Sequence, residues 1–505
     1  MEKVIRNNVP FVLFATVWLT YAMFFTPAGG VTPNRYMNTT HSLVNEGSFT
    51  IDKYHENTCD KAYYEGHYYA GALPGPSIFA VPSYVLFKLM YAMLPDAIKA
   101  NFGEIQSYKK TKLEDSSFYG SVDNVEYFLS QGFVVIFTVG VAGALLVLFI
   151  YKISLLVTSS AFTSYMVAIA FAFATHIMWH AVVLFEQVFS MLFTAMAVYY
   201  LLRAEHDELT KWHVVALGLV TAMTFTVEVS GLLVAAGVTI YVVMFKRQFT
   251  VLYFAGFAIP VIALALHNVV LFDHPFKTGY HFLAGESYQN IVSEGMIGLS
   301  YPRAERFIGL LLSPERGLLL FAPISMLAIV SFGHAIVDKQ KRDRMLVFSG
   351  VMFLSALCYV ASFKGWNAGG AFGPRYLLFA MPFLVIPVSV MLRERGKGTF
   401  YFLMIFGMLI NIAGAMRGFT ETYYTHVLEF VNSGFTLPWL GQIQSHTVNP
   451  HGTISKLFSV LQSVAIILLS LLGAFSLYVG WTLRRKEMQK EHVENPELVS
   501  TGLNS

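Results

Sequence analysis

The chain has 505 residues, of which 55% are hydrophobic and 13% charged, whereas an ordinary soluble domain carries roughly a quarter charged residues. A mean hydropathy of +0.55 spread along most of the length excludes a soluble enzyme with a single anchor and points to a multi-pass membrane protein. A formal net charge of +3, from 34 basic and 31 acidic residues, gives no bulk electrostatic reason for a nucleic-acid partner. Two cysteines, Cys59 and Cys358, exclude a disulfide framework or an all-thiolate zinc cluster.

Apolar runs near the length that crosses about 30 Å of hydrocarbon begin with Phe11 to Phe25, after Lys3 and Arg6 and before Ala28-Gly29-Gly30. We read this run as an uncleaved first helix in preference to a signal peptide. A long mixed segment, Thr26 to Glu126, follows; it holds one apolar stretch, Ser77 to Leu94, among Pro74, Pro76, Pro82 and Pro95. Further spans are predicted at Tyr127 to Lys152, Ala161 to Met178, Ala181 to Leu202, His213 to Val229, Gly231 to Phe245 and Val251 to Phe272. The remainder fall at Gly317 to Ile336, Met345 to Phe363, Tyr376 to Leu392, Phe400 to Met416 and Leu457 to Leu483.

Short cytoplasmic loops favour Lys and Arg. Lys246-Arg247, then Lys339, Lys341, Arg342 and Arg344, then Arg393, Arg395 and Lys397, and finally Arg484-Arg485-Lys486 face inward together only if Ser77 to Leu94 does not cross. That segment therefore reads as an interfacial helix, which leaves about twelve spans with both termini cytoplasmic. The expected architecture is an all-α integral membrane domain over 1–486 with a polar cytoplasmic tail, disordered, over 487–505. Its large outer surface comprises 26–126, 273–316, 364–375 and 417–456.

Polar chemistry concentrates on that face. The first outer loop carries Arg35, Glu46, Asp52, Lys53, His55, Glu56, Asp60, Lys61, Glu65 and His67, with Tyr36, Tyr54, Tyr63, Tyr64, Tyr68 and Tyr69 between them. Tyrosines beside carboxylates suit sugar recognition, and they equally suit an interfacial aromatic belt. His55 and His67 lack the tight spacing of a zinc motif, so no metal is expected. Glu186 and Glu228 fall inside predicted spans near their outer ends, where a charge needs a partner or a polar cavity. The cations Arg303, Arg306, Arg316, Lys364 and Arg375 break the positive-inside trend. Arginine binds phosphate through two parallel hydrogen bonds, so an anionic lipid partner or ordinary pairing with Glu305 and Glu315 accounts for them. The polar residues lie at helix ends and not at midplane, and no related halves are evident; both features favour an interfacial enzyme over a transporter.

The first helix with its long outer loop, the stretch Gly66–Ser77 (GHYYAGALPGPS), Glu186, and the motifs Ser313–Gly317 (SPERG) and Gly373–Tyr376 (GPRY) resemble the GT-C superfamily. These are membrane glycosyltransferases that use polyprenyl-phosphate sugars, and the likeness is to prokaryotic members related to protein mannosyltransferases and to the aminoarabinose transferase. The resemblance implies inverting transfer from a polyprenyl-phosphate sugar to a lipid, glycan or protein acceptor at the outer face of the cell membrane. A loop carboxylate would act as base, cations would take the leaving phosphate, and no cofactor would be needed. The acid characteristic of the family after the first helix is replaced by Val31–Tyr36 (VTPNRY), and the lysine before the juxtamembrane helix by Leu73. Asp52 and Asp60 stand in as base candidates beside Glu186. Arg35, Lys61, His67, Arg316, Lys364, Arg375 and Tyr376 are the expected substrate and phosphate contacts. A lipid-linked-substrate transporter or an inactive binding relative is the alternative.

Overall fold

A computed structural model describes residues 8–26, 30–96, 99, 125–285, 289–291, 293, 295, 298–338, 343–394, 397–417, 423–440 and 453–494. The basic residues Lys339, Lys341, Arg342 and Arg395 used above lie outside them. In the first part of the chain the helices are α1 (Val9–Met23), α2 (Val31–Glu46), α3 (Gly75–Ala92), α4 (Val125–Val134), α5 (Gly140–Thr158), α6 (Ala161–Phe173) and α7 (Ile177–His180). Next come α8 (Gln187–Glu205), α9 (Lys211–Val227), α10 (Gly231–Phe245), α11 (Thr250–Phe272), α12 (Ala304–Leu312), α13 (Leu318–Phe321) and α14 (Ser325–Val337). The chain ends with α15 (Arg344–Ser362), a 3-10 segment Arg375–Leu384, α16 (Val385–Glu394), α17 (Lys397–Arg417), α18 (Tyr423–Ser433) and α19 (Thr453–Glu494). One π turn, Val135–Val139, joins α4 to α5.

Among the described residues, 7 helices are long and apolar enough to cross a membrane, and shorter apolar helices accompany them at Val9–Met23, Ala161–Phe173, Lys211–Val227, Gly231–Phe245 and Ser325–Val337. Large apolar side chains along α11 and α19, such as Val251, Leu266, Val270, Leu471 and Leu477, are exposed. An apolar surface that extensive belongs against lipid and not water. The protein is thus an all-α, multi-pass membrane protein.

Three departures from the sequence reading matter for the site. Val31–Glu46 is a helix whose buried face is polar: Asn34, Arg35, Asn38, Thr39, Thr40, His41 and Ser42 are all buried. It survives because those groups are paired. Asn38 Nδ2 donates to Asn57 Oδ1 (2.7 Å), Tyr127 OH donates to Asn38 Oδ1 (2.8 Å), and Thr40 Oγ1 donates to the Ser77 carbonyl (3.1 Å). Second, the runs expected over Ala161 to Met178 and Ala181 to Leu202 are broken. The helix α6 stops at Phe173, only the single turn α7 (Ile177–His180) follows, and long helix resumes at Gln187. Glu186 therefore stands just before α8 instead of inside it, at the positive end of that helix's dipole but with no side-chain capping hydrogen bond. Third, α19 continues through 487–494, a stretch expected to belong to the tail; residues 495–505 lie outside the described ones.

The apolar stretch Ser77 to Leu94 forms α3, with Pro76 in its first turn, where a missing N–H costs nothing. Before it, Lys61–Tyr64 (β1) and His67–Ala70 (β2) make an antiparallel hairpin in the register Lys61↔Ala70 to Tyr64↔His67. The two-residue turn Glu65-Gly66 has φ of 48° and 88°, the left-handed pair that matches the twist of hairpin strands. The segment around Leu283 lies beside β1, with Tyr63 N–H donating to the Phe282 carbonyl (2.9 Å) and Ala284 N–H to the Lys61 carbonyl (2.9 Å). This brings the 273–316 connection against the first loop.

Candidate functional site

The helix α2 is framed by Gly30, extended, and by Gly47 in the left-handed conformation that ends a helix. It delivers Arg35 and Tyr36 into the interior. Arg35 lies between two acids from distant segments: its Nη1 donates to Asp60 Oδ2, and its Nη2 donates to Glu186 Oε1 at 3.2 Å. Their side chains are 5%, 3% and 7% exposed, so this is a buried ionic triad and not a solvated surface pair. Tyr36 OH donates to Glu186 Oε2 (2.8 Å) and accepts from Arg35 Nη2 (2.8 Å), while Gln187 Nε2 donates to Glu186 Oε1 (3.0 Å).

The two carboxylates are not equivalent. Glu186 Oε1 accepts two hydrogen bonds and Oε2 one, which fixes the group. Asp60 is held through Oδ2 alone; among the described residues its Oδ1 accepts none. Burial raises the Asp60 carboxyl above the usual aspartate range, with the Arg35 charge pulling the other way. Arg35 is driven well above the usual range: burial opposes its charge, but the fields of Asp60, Tyr36 and Glu186 outweigh that. The Asp60 backbone is pinned by its N–H donating to Thr58 Oγ1 (3.2 Å) and by Gly71 N–H donating to its carbonyl (3.2 Å). A Cβ on Gly71 would stand 2.8 Å from Asp60 Oδ1, so only glycine leaves that oxygen clear.

Arg375, at the start of the 3-10 segment, completes the group. Its charge acts on both Asp60 and Glu186. Its guanidinium lies 5.2 Å from the Phe185 ring centre and 5.1 Å from that of Tyr376, and Nη2 donates to Tyr376 OH (3.3 Å). Its Nε is buried, and among the described residues it has no hydrogen bond and the guanidinium makes no ion pair. Tyr280, absent from the sequence reading, is half-buried here and feels Arg35, Glu186 and Asp60, with desolvation raising its phenol far above the ordinary range. Its approach needs Gly279, whose Cβ would meet the Ala70 carbonyl oxygen at 2.5 Å.

The other candidates sit elsewhere. Asp52 accepts from His67 Nδ1 (2.8 Å) and from Tyr68 N–H (2.7 Å) on the exposed side of the hairpin. Those bonds hold its carboxyl below the usual range although partial burial acts against them. Lys61 Nζ lies 3.0 Å from His55 Nδ1, donates to the His55 carbonyl (3.0 Å) and sits over the Tyr68 ring. Lys364 Nζ donates to the Asn290 carbonyl and Oδ1, both at 3.0 Å. Arg316 is a tether: it donates to the carbonyls of Asn367, Gly369 and Glu315, tying the SPERG turn to the 364–370 loop. Burial and the neighbouring Arg375 lower its guanidinium to about 10. Thus Arg35, Asp60, Glu186, Arg375 and Tyr376 come together, Arg316 lies beside them with its donors engaged, and Asp52, Lys61, His67 and Lys364 do not join them. Among the described residues no three His, Cys, Asp or Glu side chains gather in a metal-holding group.

No protein-family model matches the chain, and no curated protein matches it. Among solved structures it is similar to ArnT from Cupriavidus metallidurans in the apo state, at 13% identity over 94% of this chain and 75% of that one, with a TM-score of 0.48. The likeness to the same protein bound to undecaprenyl phosphate is 14% identity over 94% and 75%, with a TM-score of 0.49. It is also similar to the apo Archaeoglobus fulgidus oligosaccharyltransferase, at 11% identity over 86% of this chain and 56% of that one, with a TM-score of 0.44.

Proposed function

We propose that the protein is a glycosyltransferase that moves a sugar from a polyprenyl-phosphate donor to an acceptor hydroxyl at the outer face of the membrane. The observation that carries this reading is the meeting of a buried carboxylate with one free oxygen, Asp60, and a guanidinium without an ion pair, Arg375. Arg375 is half-buried with its Nε out of contact with solvent; a cation so placed seeks an anion, and arginine suits a phosphate. The acceptor O–H would give its proton to Asp60 Oδ1 as its oxygen attacks the anomeric carbon. The bond from that carbon to the phosphate oxygen breaks on the opposite face, inverting the centre, and the phosphate dianion leaves against Arg375. Arg35 keeps Asp60 ionised and in place; Glu186, hydrogen-bonded through both oxygens, acts as its positioning partner.

The basic loops that the sequence places inward support an outer site and cytoplasmic termini. The apolar helices would receive the polyprenyl chain, with its phosphate at the polar end. The test is incubation of purified protein with undecaprenyl phosphate carrying a sugar, together with sealed vesicles in parallel. New glycosidic product and released undecaprenyl phosphate without a gradient are the expected result. Translocation of the intact lipid with no product would replace the enzyme by a transporter.

A further inference from the structure

Beside the triad lies a set of buried polar atoms that the transfer chemistry above does not use. The helix α9 ends at Val227, Glu228 is extended (φ −148°, ψ 127°), and α10 starts at Gly231. The break is fixed in place: a Cβ on Gly231 would collide with the Thr224 carbonyl, and Thr224 Oγ1 donates to the Gly231 carbonyl (2.9 Å). Glu228 is 6% exposed, and the Ser230, Ser190 and Gln187 side chains lie close enough to act on its carboxylate as hydrogen-bond donors. Among the described residues, however, none of Glu228 Oε1 and Oε2, Ser230 Oγ, Ser190 Oγ and Gln187 Oε1, all buried, has a partner at full hydrogen-bond distance and angle. Unlike Glu186, Glu228 makes no ion pair among the described residues. Gln187 belongs to both groups, because its Nε2 donates to Glu186 Oε1 (3.0 Å) while its Oε1 is left over.

Buried polar atoms in such a number are costly unless something bonds them. Carboxylate and amide oxygens only accept, and the two serine hydroxyls bring one donor each, fewer than the lone pairs of the Glu228 carboxylate and Gln187 Oε1, so a ligand that fits these positions brings donors. A phosphate brings none and would be repelled by the carboxylate. We propose that Glu228, Gln187, Ser190 and Ser230 form a second subsite that binds the hydroxyl groups of the transferred sugar, next to the phosphate contact at Arg375. This rests on the glycosyltransferase reading. The site then has two poles: a guanidinium end for the phosphate and an acceptor-rich end, reached through Gln187, for the sugar.

The test measures binding to full-length purified protein of two probes, undecaprenyl phosphate and undecaprenyl phosphomannose or phosphoglucose. The wild type should bind a sugar-loaded lipid more tightly than the bare one. Glu228→Gln, which keeps shape and buried volume, should lower affinity for that loaded lipid ~10-fold and leave the bare lipid unchanged, because only the sugar reaches these atoms. Ser190→Ala, a smaller change on a helix face, should move the same ratio in the same direction. Equal wild-type affinity for bare and loaded lipids, or an unchanged ratio in both variants, overturns the subsite, with water then satisfying these atoms, while leaving the transferase reading standing. Failure of the wild type to bind any of the lipids overturns both.

Discussion

Asp60→Asn separates the roles assigned to the triad. The amide keeps a carbonyl oxygen that can face Arg35, and Arg35 retains Glu186 at 3.2 Å. The stability cost should therefore stay below the 3–5 kcal/mol typical of stranding one partner of a buried ion pair, at about 1–3 kcal/mol. The rate should suffer more. Loss of a general base lowers turnover roughly 10²–10⁴-fold, or about 2.7–5.4 kcal/mol on the barrier. Burial holds the Asp60 carboxyl above the ordinary aspartate range, so wild-type activity should fall as pH drops through that raised value, and this acid limb should vanish in the variant. The assay is release of undecaprenyl phosphate from a sugar-loaded donor as a function of pH, with bare-lipid affinity measured alongside. Retention of more than a tenth of the wild-type rate with the acid limb unchanged would refute Asp60 as the base.

Four further outcomes follow from neighbouring contacts. Asp52→Asn should leave transfer intact and cost at most about 1 kcal/mol of stability, because the Asp52–His67 pair is exposed; turnover measured beside Asp60→Asn checks it. Gly71→Ala places a Cβ 2.8 Å from both Asp60 Oδ1 and Leu283 Cδ2 and should lower turnover severalfold and the melting temperature with it, because both neighbours must shift. Arg375→Ala should weaken binding of undecaprenyl phosphate by roughly 1.5–3 kcal/mol, the worth of a hydrogen bond to a charged group. Arg316→Ala removes donors from the carbonyls of Asn367, Gly369 and Glu315 and should instead lower the melting temperature, which a thermal-shift comparison of the two variants resolves.

Much of the helical framework was legible because apolar runs of spanning length have few alternatives. That Ser77 to Leu94 forms a helix was legible as an apolar run; its placement at the interface rests on the basic loops alone, since one more crossing would reverse every later one. Helix α2 was not, because a buried face of Asn, Arg, Thr, His and Ser reads as loop; its signals were Pro33 in the first turn and Gly47 just past the end. The break before Glu186 carries no Pro or Gly. Its hints were Thr175, His176 and His180 and the polar pair Glu186-Gln187 in an otherwise apolar run. Asp60, Glu186, Arg375 and Tyr376 were reachable as candidates from residue type and side of the membrane. That Arg35 joins Asp60 to Glu186 across 25 and 151 positions was not, since nothing local encodes such pairing. Tyr280 and the second acid cluster around Glu228 share that obstacle.

The most direct measurement is a cryo-electron-microscopy map of the protein with undecaprenyl phosphomannose, prepared with Asp60→Asn to prevent turnover. The account predicts a phosphate within hydrogen-bonding distance of the Arg375 guanidinium and the anomeric carbon beside residue 60, with the lipid chain along the apolar helices. A phosphate bound instead at Lys364 or at the basic loops near Arg247 and Arg484, far from the Arg35 triad, would contradict it.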